Sequence, residues 1–287
     1  MYRLFKYFFP VLILYAGFVI VLSCNGSGGQ RSLRQESNIS EYDSTQGKSL
    51  TYNKYELPLS VDVYKLLKIK KYAFDELLMH KLKDQDKYFT EFKRAFALGV
   101  YSSDLAYASV YEQSQDAVNY FNASIELAHK LNIQDGYNSK TLDRAYENID
   151  NEDSLSYIAG ESYYRTCSIL EKEKRDNILP LVVIGSWIES MHILSKACLD
   201  SPAESGLFEE FYTQMKHLEK LLNYTNDALN GMQHSDSKAE ILKVVELMNS
   251  IQEKFKLIEN ASPSEIGAAQ FKDVISQIEY LRNTMLE

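Results

Sequence analysis

The chain has 287 residues, 45% of them apolar and 25% charged. That composition can bury a core, and it excludes a disordered tail, a collagen-like fibre and a polytopic membrane protein. Net charge is −9 at pH 7, and setting aside Arg3 and Lys6 of the first segment leaves −11. With no basic stripe, the chain offers no electrostatic footprint for a nucleic-acid backbone. Only 12 Gly and 5 Pro occur, which points to long helices rather than many short strands joined by turns.

Residues 1–23 begin with a short basic region, Arg3 and Lys6, followed by an apolar stretch from Tyr7 to Leu22. About 16 apolar residues are short for a membrane span, and the pattern fits a secretory signal. The ending Val21-Leu22-Ser23-Cys24 resembles the lipobox of bacterial lipoproteins, although a residue smaller than Leu22 is commoner at its position. The resemblance implies cleavage before Cys24 and a diacylglycerol on its sulfur. Asn25, rather than Asp, follows the cysteine. By the same resemblance no inner-membrane retention signal is present, and an outer-membrane lipoprotein facing the periplasm is expected. Residues 24–50 then form the lipidated cysteine and a polar tether. Its 26 residues beyond Cys24 reach about 28 Å as a flexible chain, so the folded part is expected to stay close to the membrane.

From residue 51 the apolar spacing is helical throughout, and the expected class is all-α: an array of antiparallel helices, bundle or α-solenoid-like. The periodicity predicts helices over 60–82, 86–113, 115–132, 139–150, 153–174, 177–199, 203–229, 236–259 and 264–286. Ser201-Pro202-Ala203-Glu204 and Ser262-Pro263-Ser264-Glu265 carry the signature of an N-cap serine, a proline at N1 and a capping-box glutamate. Residues 51–200 form an aromatic-rich region. Residues 201–287 are expected to close as an antiparallel three-helix bundle, possible as one domain with 51–200. There Phe208, Phe211, Met215, Leu218 and Leu222 step by three and four, as do Ile241, Val244, Met248, Ile251 and Phe255, and Phe271, Val274, Ile278, Leu281 and Met285. In the helix around 86–113, Gly99 and Ser103 lower helix propensity, and close approach of a neighbouring helix explains them. Gly136 and Gly231 mark chain reversals. A tetratricopeptide array is not expected, since no second copy follows at about 34 residues.

The most buried helix should be 177–199, where Gly185, Glu189, His192 and Lys196 form a narrow strip between apolar flanks. With Trp187 beside it, the strip is either the floor of a pocket or a solvent-facing edge; the candidate pocket is Gly185, Trp187, Glu189 and His192. Glu189-x-x-His192 and Glu126-x-x-His129 also match the pairs of a dimetal-carboxylate site, with Glu161 and Asp104 or Glu112 as further ligands. Phase opposes that reading, because Glu126 points away from the core face of its helix. Cys167 and Cys198 lie about 12 Å and 31 Å along their helices from the intervening turn, too far apart for a disulfide. Phosphate loops, His-Glu-x-x-His, Gly-x-Ser-x-Gly and Cys-x-x-Cys are missing. The 21 Tyr either line a groove or sit at the core boundary with their hydroxyls reaching water. The expected protein is a non-enzymatic, cofactor-free binding or scaffold module, held to the membrane by Cys24, with a protein partner in the cell envelope. A small-molecule or peptide-binding lipoprotein is the alternative, and a dimetal enzyme the remote one.

Overall fold

A computed structural model describes residues 60–201, 204–232, 236–259 and 268–287. The signal-like segment, Cys24, the tether and the Ser262–Glu265 cap lie outside these residues. The class is all-α. The described residues form nine α-helices and no strand: α1 Ser60–Ile69, α2 Glu91–Val110, α3 Ser114–Lys130, α4 Ser139–Glu147, α5 Glu152–Lys172, α6 Leu179–Asp200, α7 Ser205–Gly231, α8 Asp236–Lys256 and α9 Ala268–Leu286. None of these is long and apolar enough to cross a membrane. All of them belong to one compact unit.

Local chemistry sets the helix ends. Thr90, Asn138 and Asn151 accept the backbone N–H three residues on, at 3.0–3.1 Å, and so cap α2, α4 and α5. Pro180 sits in the first turn of α6, where a missing N–H costs nothing. Four helices end alike. Lys71, Glu112, Asn132 and Lys174 each take a left-handed conformation with φ between 55° and 59°. The residue after each donates back five positions: Tyr72 to Leu67, Gln113 to Ala108, Ile133 to Ala128 and Arg175 to Leu170. This is the Schellman closure, built here without a single glycine.

Two rings of four helices result. In the first, α2 packs on α3, α3 on α4, α4 on α5 and α5 back on α2; in the second, α6, α7, α8 and α9 follow the same order. The last three helices therefore close around a fourth wall, α6, and α7 and α9 face each other across the core through Phe208, Phe211 and Phe271. The most extensive packing is the seam between α2 and α6, with α1 lying along both. The helices meet there almost backbone to backbone. A Cβ on Gly99 would collide with the Val182 carbonyl, and one on Gly185 with the Phe96 carbonyl. Gly136 likewise gives way to Thr166 of α5, so it serves close approach.

Several boundaries differ from the sequence expectation, among them the helix predicted over 86–113, which runs only from Glu91 to Val110. The helix predicted over 60–82 stops at Ile69, because the left-handed Lys71 turns the chain out while the apolar rhythm continues. Two short 3-10 turns, Glu76–Leu78 and Leu82–Lys87, follow. Ser201 closes α6 through its N–H on the Ala197 carbonyl instead of opening α7, which starts at Ser205. Glu204 turns to Lys70 at 3.0 Å.

Candidate functional site

Residues 70–90 form a strap lying along α2, and side chains rather than a backbone ladder hold its main chain. Tyr101, Asp104, Tyr107 and Tyr111 recur at three and four residues, so they share one helix face. The Tyr111 hydroxyl donates to the Tyr72 carbonyl at 2.9 Å, and Tyr107 accepts from the Asp75 N–H at 3.1 Å. Asp104 accepts from the His80 N–H at 3.0 Å, and Tyr101 donates to the Lys81 carbonyl at 3.2 Å. From α3, Tyr120 donates to the His80 carbonyl at 2.7 Å, and Arg94 reaches the Tyr88 carbonyl at 2.9 Å. These bonds satisfy backbone groups that irregular chain would otherwise leave without partners. The rings stack as well, with Phe74 and Tyr107 centred 5.0 Å apart. Burial pushes the Tyr107 hydroxyl up to about 12, so it stays protonated as a hydrogen-bonding group. Four of the 21 tyrosines, Tyr101, Tyr107, Tyr111 and Tyr120, are thus fastenings of this strap.

Behind the strap lies a buried charge cluster at the junction of α2, α6 and α9. Glu189 is fully buried, and the Arg282 guanidinium grips both its oxygens at 2.6 Å, through Nε and Nη2. This fork geometry is the strongest form of the pair. Burial opposes ionisation of Glu189, but the Arg282 charge and its two hydrogen bonds outweigh it and hold the carboxyl below its usual range. Asp104 is also fully buried. Its Oδ2 accepts from His80, while Oδ1 has no partner. Burial first, and the Glu189 charge second, push the Asp104 carboxyl well above its ordinary value. The cluster therefore sets one guanidinium against two carboxyl groups, with Glu189 favoured as the anion and Asp104 shifted toward the neutral acid. Beside it, His192 Nδ1 lies 2.5 Å from Glu279 Oε1. The guanidinium supplies the positive charge that two buried acids require.

The structure places the four predicted pocket residues at different tasks. Gly185 admits α2, as described above. Trp187 is buried with its indole N–H unpartnered. Glu189 and His192 point at α9, meeting Arg282 and Glu279, so α9 covers the strip they form. The predicted metal ligands separate in the same way: Asp104 and Glu189 come together, Glu112 pairs with Lys68 and Glu161 with Arg144, and Glu126 and His129 are exposed. No group of three His, Cys, Asp or Glu side chains among the described residues is arranged to hold a metal ion. Cys167 and Cys198 are buried thiols not joined in a disulfide, and burial pushes both up to about 12.

Sequence reasoning missed Arg282 and the strap. An arginine four residues after Ile278, on the apolar seam of α9, was the available signal for the first. Two cavities flank these features. One of about 10 Å³, bordered by Ser60, Ser102, Tyr163 and Ser186, has room for a single water. The other is an open groove of about 280 Å³ under the strap, bordered by Leu77, Lys81, Lys83, Asp116 and Tyr120. No protein-family model, curated protein or solved structure matches the chain.

Proposed function

We propose that this chain is a lipid-anchored helical binding or scaffold module of the bacterial cell envelope, carried on the outer membrane and facing the periplasm. In its most concrete form it is an accessory subunit of an envelope assembly. The observation that carries the reading is the order of segments: an apolar stretch, then Cys24, then a polar tether, then a helical unit. The site geometry favours an interaction role over a small-molecule pocket, because Gly185, Glu189 and His192 are occupied by helix–helix contacts. A module of this kind presents surface, and its buried polar groups serve to hold that surface rigid.

The test is gentle solubilisation of the envelope, capture of the intact protein, and identification of co-purifying proteins by mass spectrometry, with Cys24→Ala as control. The expected result is an acyl-modified Cys24 and a stoichiometric partner lost in the control. An unmodified Cys24 overturns the anchor, and capture of the protein alone overturns the subunit reading.

A further inference from the structure

Asp104 is the member of the buried cluster whose bonding is incomplete, and completing it assigns a proton. Oδ2 accepts the His80 N–H, and no donor reaches Oδ1. The side chain in hydrogen-bonding contact with Asp104 is Glu189, which is also an acid. Two carboxylates cannot bond to each other, whereas a carboxylic acid donates to a carboxylate. Oδ2 is already an acceptor, so Oδ1 is the atom left to carry the proton. Charge leads to the same state. Arg282 is committed to Glu189 through Nε and Nη2, so a second buried anion is left without a cation. Any charge on His192 of α6 answers Glu279 of α9, 2.5 Å away. The His80 ring turns its Nε2 to the Tyr88 hydroxyl at 2.6 Å. Tyr64 of α1, Tyr101 and Tyr107 of α2 and Tyr120 of α3 also face Asp104, and burial raises all four hydroxyls, so they stay neutral.

We propose that a single proton on Asp104 Oδ1, donated to Glu189, is the latch of the strap, and that its loss opens the strap to water. With the proton in place, Asp104 joins the His80 N–H to α6 and, through Glu189, to Arg282 of α9. When the proton leaves for solvent, two carboxylates face each other beside one guanidinium, and the cluster must take in water. The helix side admits none, because α2 and α6 meet almost backbone to backbone at Gly99 and Gly185. The strap is the weaker wall, since side chains rather than a backbone ladder hold it. Opening and proton loss are therefore linked. Between the ordinary carboxylate range and the raised value of the folded state, the open fraction grows about tenfold per pH unit. Met79 and Lys81, on either side of His80, border the groove under the strap, so the same opening reshapes that groove. The latch stands on the fold alone and does not depend on the anchoring of Cys24.

The test is hydrogen exchange of the full chain across neutral pH, read by mass spectrometry and corrected for the intrinsic pH dependence of amide exchange. Asp104→Asn is run beside the parent. Asparagine keeps an acceptor for His80 and still donates to Glu189, so it mimics the protonated acid at every pH. In the parent, protection of residues 72–83 is expected to fall by up to about tenfold per pH unit, and in Asp104→Asn to stay level. At each pH the strap should exchange faster than residues 184–191 of α6. Infrared spectra of the parent at neutral pH should show the carbonyl stretch of a buried carboxylic acid, lost in Asp104→Asn. Absence of that band overturns the shared proton. Level protection in the parent overturns the latch without recourse to any variant. A fall that survives in Asp104→Asn gives the pH dependence to His80 or His192 and overturns the role of Asp104. Strap protection equal to that of residues 184–191 means that the strap opens only with the whole fold, which also overturns the latch.

Discussion

The two rings are built on the same plan and held by different chemistry. In α6–α9 the interior is a sequence of apolar knobs, Leu218, Ile241, Val244, Met248, Ile251, Ile278 and Leu281, all buried, each contributing about 1.5–3 kcal/mol through lost contact with water. In α2–α5 the same volume is crossed by hydroxyls. Tyr137 donates to Ser102 at 2.7 Å, Ser162 bonds back to the Ile158 carbonyl at 2.8 Å, and Ser102 and Ser109 bond back to their own helix. An apolar interior accepts another residue of similar volume. A hydroxyl interior accepts only a partner that completes its bonds, since each unsatisfied buried group costs about 1–3 kcal/mol. The first ring is thereby the more exacting of the two, and it is the one that carries the strap.

The comparison breaks most sharply at the seam between the rings. Gly99→Leu places a side chain into the α6 backbone at Val182 and Ser186 and is expected to cost more than about 4 kcal/mol, enough to unfold a marginal protein. Leu218→Ala in the second ring should cost about 2–5 kcal/mol and leave a cooperative melt. Circular dichroism melts distinguish the two. Next in size is Glu189→Ala, which strands Arg282 in the interior at a cost of about 3–5 kcal/mol. Combining it with Arg282→Met should recover most of that loss in the same assay.

Asp104 sharpens the comparison through pH. Its carboxyl is raised in the folded state, so the fold binds that proton more tightly than the unfolded chain does. The stability so gained is fully present below the unfolded carboxyl range and is lost as pH rises through the folded value. Asp104→Asn removes this dependence, so its melting temperature should approach or exceed that of the parent as pH rises. A variant that tracks the parent at every pH would contradict the assignment. Tyr107→Phe, which frees the Asp75 N–H, should cost about 1 kcal/mol and loosen the strap, read as faster proteolysis within residues 72–80. The smallest effect has the opposite sign. Lys71→Gly and Lys174→Gly relieve left-handed backbone and should stabilise by about 0.5 kcal/mol each in urea melts, after the added freedom of the unfolded chain is subtracted.

The buried faces of α7, α8 and α9 were legible residue by residue, because helices with one buried face display that face as a step of three and four; that α6 joins them as a fourth wall was not. The close crossing at Gly99 was legible too, since a glycine inside a strong helix needs a reason. The strap was not. Tyr72, Ala73, Phe74, Leu77 and Leu78 continue a helical rhythm past Lys71, and the groups that divert them, Tyr101 to Tyr120, sit dozens of residues away in sequence. The helix ends were hidden for a related cause: Lys71, Glu112 and Lys174 give no sign of left-handed backbone, so a scarcity of glycine concealed four sharp stops. At the candidate site, Glu189 and His192 stood out as polar residues on a core helix, but only the fold shows that α9 answers them with Arg282 and Glu279.

One consequence follows from α6 being a wall of one ring and half of the seam to the other. Neither ring can be peeled away with its interior intact, because removing either strips a face of the same helix. The described helices are therefore expected to open as a single cooperative unit, with no half that folds alone. Amide protons in the middle of α6, around Ile184 to Met191, have no route to solvent short of that opening, so their exchange reports the global free energy of the fold.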